Sequence, residues 1–245
     1  MRAVTDVLLV TGTDTGVGKT VVTAAIAAAA RAVDYSVAVL KPAQSGVVAG
    51  TGDESDVDTV ARLSGAQSAP TLVSYPDPLA PLTAARQSGL PELAIGDVIE
   101  AVEVAGTGHE LVLIEGSGGL LVPMGEGGWT IADLAVALRI PAVVVARSGL
   151  GTLNHIALTF EAMAHRGIPG WLVLGSWPAE PELVHWTNLA DLTNLAGVLP
   201  EGAGSLPPDR FRAAAPRWLT PTLFGQADAD ILLADAIHLP PPHWR

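Results

Sequence analysis

The sequence predicts an α/β fold, a mostly parallel sheet with helices on both faces, because one pattern recurs along its 245 residues. A short apolar run ends in a polar, glycine-bearing segment, and a stretch of helix formers follows. Val7-Leu8-Leu9-Val10 breaks at Gly12 and leads into the alanine-rich residues 20–32. Leu111-Val112-Leu113-Ile114 runs into Glu115-Gly116-Ser117-Gly118-Gly119, and Ala142-Val143-Val144-Val145 runs into Arg147-Ser148-Gly149-Leu150-Gly151 before a helix-like stretch to His165. Apolar runs without alternation mark strands covered on both faces, as in parallel sheets.

Two further strands fit the same scheme. Val37-Ala38-Val39-Leu40 ends in Lys41-Pro42-Ala43-Gln44-Ser45-Gly46, whose proline and glycine mark a loop, and Trp171-Leu172-Val173-Leu174 ends at Gly175. Ligands of such sheets sit at the carboxyl ends of the strands, so the polar chemistry collects on one edge. Residues 50–58, acidic and glycine-containing, predict a mobile loop entering a helix near Asp56. After Pro200 the chain becomes proline-rich, and an irregular surface tail is expected from about residue 205. With no repeat and no separating linker, residues 1–245 are expected to form a single domain.

Composition narrows the function classes. Thirteen basic and 25 acidic residues give a net charge of −12, which argues against nucleic acid or an anionic membrane as main partner. Cysteine is absent, excluding disulfides, a thiolate nucleophile and a cysteine-ligated metal, and fitting a cytoplasmic location. Residues 1–10 are too short and too weakly apolar for a signal peptide, and residues 23–32 reach Arg31 after only a few turns, so a soluble protein is expected.

The most informative segment is Gly12-Thr13-Asp14-Thr15-Gly16-Val17-Gly18-Lys19-Thr20, placed between a predicted strand and a predicted helix, the context a phosphate-binding loop requires. Glycines let backbone N–H groups turn toward one anion, the helix directs its positive end at it, and Lys19 adds a full charge. Thr20 offers a hydroxyl to Mg²⁺. Five residues separate Gly12 from Gly18 where the common pattern has four, so the loop is a variant.

At the other strand ends each residue has two readings. Glu115 and Asp56 are candidate Mg²⁺ ligands; alternatively Glu115 accepts hydrogen bonds from the Gly116–Gly119 turn, and Ser55 or Asp56 caps a helix. Lys41 places a cation where the phosphate loop ends, or simply reaches solvent. Ser45 caps a turn or contacts a ligand. Asn154 and His155 lie near a helix start, where Asn is a common cap. The six tryptophans form no stripe and read as packing residues.

Taken together, the motifs at 12–20, 41–46, Ser55-Asp56, 115–119 and Leu150-Gly151-Thr152-Leu153-Asn154-His155 resemble dethiobiotin synthetase, a family of ligases of biotin synthesis, across nearly all of residues 7–200. The resemblance implies a homodimeric, P-loop NTPase-like enzyme that closes the ureido ring of dethiobiotin from 7,8-diaminononanoate, CO₂ (or bicarbonate) and ATP, through a carbamate and a carbamic-phosphoric anhydride. It implies Lys41 and Lys19 as catalytic residues and Thr20, Asp56 and Glu115 as Mg²⁺ ligands. Nucleotide contacts are implied for residues 13–20, Asp56, Glu115, Gly116, Ser117, Gly118, Gly175, Ser176, Pro200, Glu201 and Gly202. Substrate contacts are implied for Thr15, Lys41, Ser45, Gly118, Leu150, Gly151 and Asn154.

Two departures from the family pattern stand out. Gly16 replaces the Glu of many relatives, removing one polar contact and leaving the loop more mobile before nucleotide binds. Gly175-Ser176-Trp177 replaces an Asn-Asp pair whose amide can read adenine, so other nucleoside triphosphates, including CTP, are expected to serve comparably to ATP. Two alternatives share the architecture. A cobyrinate-type amidoligase usually adds a glutaminase domain with a cysteine nucleophile, absent here. A ParA- or MinD-type ATPase switch carries an extra lysine where Thr13 and Asp14 stand.

Overall fold

The computed structural model describes residues 5–46, 54–68 and 71–228. Its strands are β1 (Asp6–Gly12), β2 (Val37–Leu40), β3 (Ala43–Ser45), β4 (Gln67–Ser68), β5 (Val73–Tyr75), β6 (Leu111–Glu115), β7 (Ala142–Ala146), β8 (Gly170–Trp177) and β9 (Leu195–Pro200). Its α-helices are α1 (Lys19–Ala32), α2 (Asp56–Ser64), α3 (Pro81–Ser88), α4 (Ile95–Gly106), α5 (Ile131–Leu138), α6 (Thr152–Ala164), α7 (Leu183–Asp191) and α8 (Pro208–Ala214). Seven strands form one parallel sheet in the order β4-β2-β6-β1-β7-β8-β9, and β3 pairs with β5 beside it.

The continuous apolar runs are explained by what covers them. Successive strand residues point to opposite faces: Leu8, Val10, Val37, Val39, Leu111 and Leu113 pack on the side of α1, α2 and α8, whereas Leu9, Leu40, Val112 and Ile114 pack on the side of α4 and α5. Both sets are buried, so neither face keeps a polar position. Each fully buried apolar side chain contributes roughly 1.5–3 kcal/mol before entropy is counted. Helix α1 lies over the centre of the sheet because its buried residues are mostly Ala24, Ala25 and Ala27 to Ala30. Alanine costs no side-chain entropy in a helix and lets the helix axis approach the strands closely.

Strand register sets the site. Leu40 pairs with Ile114, so the next residues, Lys41 and Glu115, emerge side by side. Val10 pairs with Glu115 on one side and with Val143 on the other, which places the start of the phosphate loop between the ends of β6 and β7.

All five strands expected from the sequence are present. Short β4 and the β3–β5 pair carry no comparable apolar run, and Gly197 and Pro200 interrupt that of β9. The proline-rich composition after Pro200 predicts an irregular surface tail; through residue 228 the structure corrects this. Helix α8 and three 3₁₀ turns fold residues 203–223 back onto α1 and α2, burying Phe211, Ala215, Leu219 and Leu223 completely. The prolines serve as helix starts: Pro207 precedes α8, Pro208 opens it, and Pro216 and Pro221 lie in the first turns of 3₁₀ segments. The final proline-rich stretch lies outside the described residues, as does most of the acidic segment before Asp56.

Candidate active site

The carboxyl ends of β1, β2 and β6 and the starts of α1 and α2 surround a cleft of about 630 Å³. Of the residues singled out in the sequence, Thr15, Gly16, Gly18, Lys19, Thr20, Lys41, Ser45, Asp56, Glu115, Ser117 and Gly118 line it.

Its centre is a buried charge cluster. Lys41, 3% exposed, places Nζ 2.6 Å from Asp56 Oδ2 and donates to Glu115 Oε1 at 2.9 Å and to the Gly116 carbonyl at 3.2 Å. Thr20 Oγ1 donates to the same Glu115 oxygen at 2.9 Å. Burial alone pushes the Lys41 ammonium toward deprotonation, but Glu115 and Asp56 outweigh it and hold its pKa above the ordinary lysine value. The solvent-reaching alternative for Lys41 is thereby removed.

Helix α2 delivers Asp56 through a division of labour. Ser55 is the N-cap; its hydroxyl accepts from the Asp58 amide at 3.2 Å and donates to the Asp58 carboxylate at 2.6 Å. Because Ser55 satisfies the helix end, the Asp56 carboxylate is left to meet Lys41. Glu115 is 1% exposed, and its second oxygen, Oε2, has no hydrogen-bond partner among the described residues. An orphan buried carboxylate oxygen is costly, and a cation bound there, with Asp56 and the Thr20 hydroxyl close by, satisfies it. Two carboxylates and a hydroxyl suit a hydrated Mg²⁺ whose remaining ligands are water and phosphate oxygens. No cluster of three or more His, Cys, Asp or Glu side chains exists among the described residues to cage a metal by protein alone.

The phosphate loop is held by backbone contacts. The Thr13 amide donates to Val145 O at 2.9 Å, and Val17 is buried. Gly18, with φ +98°, begins α1, and a Cβ there would stand 2.9 Å from the Gly175 carbonyl oxygen. A Cβ on Gly175 would collide with the Val17 carbonyl, so the end of β8 and the loop touch only because both glycines lack side chains. No side chain caps α1 and its first turn has no acid, which leaves its N–H groups and positive end for an anion. Gly16, with φ +71°, has open space around it.

Lys19 Nζ donates to the Asp14 carbonyl at 2.9 Å. Burial, and next the charge of Lys41, lower its pKa to about 8, with Glu115, Asp56 and Asp14 opposing.

The remaining residues lie elsewhere. Gly175 backs the loop; the Ser176 carbonyl accepts from Ser148 Oγ at 3.1 Å; the Glu201 amide donates to Trp177 O at 2.8 Å, joining residues 200–202 to the end of β8. Leu150 (89% exposed), Gly151 and Asn154 are exposed around the start of α6, outside the cleft. Sequence reasoning missed Gln44, which lines the cleft and accepts from the Asp56 amide at 3.3 Å, and the Pro78-Leu79-Ala80-Pro81 wall. Pro81, the first residue of α3, was the available signal for that wall.

A model of the family described as "AAA domain" matches residues 6–210. The ATP-dependent dethiobiotin synthetase BioD of Rhodococcus jostii (strain RHA1) is 53% identical over 222 residues, covering 88% of this chain and 95% of that protein. The protein of the same name from Streptomyces coelicolor is 51% identical over 231 residues, covering 91% and 96%. The chain belongs to the dethiobiotin synthetase family of AAA-domain proteins. Among solved structures, a ParA family ATPase from Chlorobium tepidum superposes with a TM-score of 0.52 at 13% identity, covering 97% of this chain and 100% of that one. At that identity the likeness shows a shared fold alone, and the relatives at half identity favour the synthetase family over the ATPase switch. No helix among the described residues of this dethiobiotin synthetase family member is long and apolar enough to cross a membrane.

The position of Lys19 sets a pH dependence. If Lys19 contacts the triphosphate, its protonated form attracts phosphate and bound phosphate raises its pKa, so its contribution to triphosphate affinity is expected to be full between about pH 7 and 8. It falls by up to about tenfold per unit as pH rises through 8 toward the pKa of the complex. Titrating the protein with metal-free triphosphate from pH 7 to 9.5 measures this; a flat profile removes Lys19 from the phosphate contacts, and Lys19→Arg is expected to flatten it.

Proposed function

We propose that this chain is an ATP-dependent dethiobiotin synthetase: it joins 7,8-diaminononanoate and CO₂ and closes the ureido ring at the expense of a nucleoside triphosphate. The observation that carries the reading is the convergence of the uncapped start of α1, Lys19, Lys41 and two carboxylates on one cleft. The half-identical relatives named as ATP-dependent dethiobiotin synthetases support it.

In this reading one substrate amine captures CO₂ as a carbamate, forming an N–C bond. A carbamate oxygen attacks the γ-phosphorus, and the bond from that phosphorus to the bridging oxygen breaks, releasing the nucleoside diphosphate. The second amine then attacks the carbamoyl carbon, and phosphate leaves with the C–O electron pair. Lys19 and the amides at the start of α1 hold the phosphates. Lys41, freed from a carboxylate as charge develops nearby, stabilises the transferring group and its leaving oxygen. Thr20, Asp56 and Glu115 would hold Mg²⁺, which would supply charge neutralisation and Lewis-acid polarisation of the phosphates. Ser45, whose Oγ is buried without a partner among the described residues, offers a hydrogen bond to the carbamate beside Thr15 and Gly118. No covalent enzyme nucleophile takes part.

The nucleotide base falls to the edge made by Gly175, Ser176 and residues 200–202, which presents backbone and no amide side chain to read adenine. The chain acts as one domain in the cytoplasm. It also works as a homodimer: Asn154 and Leu158 lie four residues apart on one exposed face of α6, and Leu150 is exposed in the turn just before that helix, Leu150 being 89% and Leu158 56% exposed. From the start of α6 and the turn before it, Leu150, Gly151 and Asn154 meet a substrate across a subunit boundary.

Three measurements test these statements. Mass detection of dethiobiotin from diaminononanoate, bicarbonate and Mg²⁺ with each of four ribonucleoside triphosphates is expected to give product with ATP and comparably with CTP. No product with any of them removes the function, and product with ATP alone removes the relaxed base preference. Lys41→Ala is expected to lower turnover on the order of 10²–10³-fold while triphosphate binding stays measurable by calorimetry; near-normal turnover would exclude Lys41 from the chemistry. Leu150→Asp with Leu158→Asp is expected to shift the mass in solution from dimer to monomer, and an unchanged mass places the interface elsewhere.

A further inference from the structure

Arg147, directly after β7, reaches the phosphate loop from outside the five motifs that carry the family resemblance. Its Nη2 donates to Asp14 Oδ2 at 3.0 Å, a pair about half exposed on both sides. Asp14 is the hub of the loop's tip. Its Oδ1 accepts from the Thr15 amide at 2.7 Å, and its backbone carbonyl accepts from Lys19 Nζ at 2.9 Å.

The two partners stand on unequal ground. The Arg147 carbonyl accepts from the buried Thr152 hydroxyl at 2.6 Å, and Asn188 Nδ2 donates to the carbonyls of Ser148 and Gly149 at 3.0 and 3.1 Å. The guanidinium therefore extends from a turn pinned by side chains of α6 and α7. Asp14 sits on a loop whose next glycine, Gly16, has a left-handed backbone and open space where a side chain would pack. A carboxylate at this point also repels an incoming polyphosphate, and the guanidinium cancels that charge.

We propose that Arg147 is a positioning residue of the phosphate loop: by gripping and neutralising Asp14 it fixes the loop's tip, with the carbonyl that holds Lys19, and so strengthens triphosphate binding. The role is exerted through Asp14, not by contact with phosphate. An exposed ion pair contributes little to global stability, so its effect falls on the loop's local order and charge.

The proposal rests on this loop binding a triphosphate, which the wild-type protein tests by itself: no binding of ATP or CTP by calorimetry overturns both readings. With wild-type binding established, Arg147→Ala is expected to raise the Kd for ATP and CTP about threefold to fivefold. Turnover at saturating nucleotide should change less than about twofold, and the loss should shrink at high salt. Arg147→Lys restores most of the affinity. In an Asp14→Ala background, Arg147→Ala is expected to change the Kd by less than about 1.5-fold, because the partner is already gone. An unchanged Kd in the single variant overturns the proposal. So does an equal loss in both backgrounds, which makes Arg147 a direct phosphate ligand.

Discussion

A lysine ammonium held inside the protein by two carboxylates is the constraint on which the rest of the site depends. Lys41 is as buried as the apolar residues that precede it, and an unpaired charge at that depth is strongly unfavourable. Its neutralisation requires β2 and β6 in a single register, since a slip of one residue would turn Glu115 to the other face of the sheet. It also requires the start of α2 to lie over the end of β2. Removing one member of such a buried pair costs about 3–5 kcal/mol by leaving the other uncompensated. The same three groups proposed for the chemistry therefore depend on the sheet and α2 being correctly assembled.

Beside this cluster the phosphate loop is built almost without side chains. Its amides, the uncapped end of α1 and the Lys19 ammonium present positive charge, while the Lys41 cluster already holds its own carboxylates. The two halves meet through Thr20 and Glu115, which join α1 to β6 by one hydrogen bond. A phosphate on the loop and a cation on the carboxylates would be neighbours of opposite charge, and on that ground would favour one another.

Much of this was legible in the sequence. The glycine-rich loop, the buried strands and the polar residues just past their ends are local patterns, and a parallel sheet brings such ends together whatever connects them. What was not legible is non-local. Arg147 meets Asp14 across 133 positions, and nothing about an arginine after a strand names its partner. Gln44 reads as a loop residue until α2 is seen to start against it. The region after Pro200 misleads because prolines that open helices and prolines that break them look alike in composition; only the burial of Phe211 and Leu219 against α1 distinguishes them. The exposed face of α6 shows the reverse case, residues quoted from a motif that a single chain does not bring to the cleft.

The bare contact between Gly175 and Val17 restricts how this protein can be altered. Position 175 belongs to the edge proposed for the base and is the wall against which the phosphate loop is seated. A side chain introduced there to read a particular base would push on the loop and tax the affinity for every nucleotide alike. On the proposed base edge, Ser176 and residues 200–202, which are tied to Ser148 and to the end of β8, are the positions to alter for base preference.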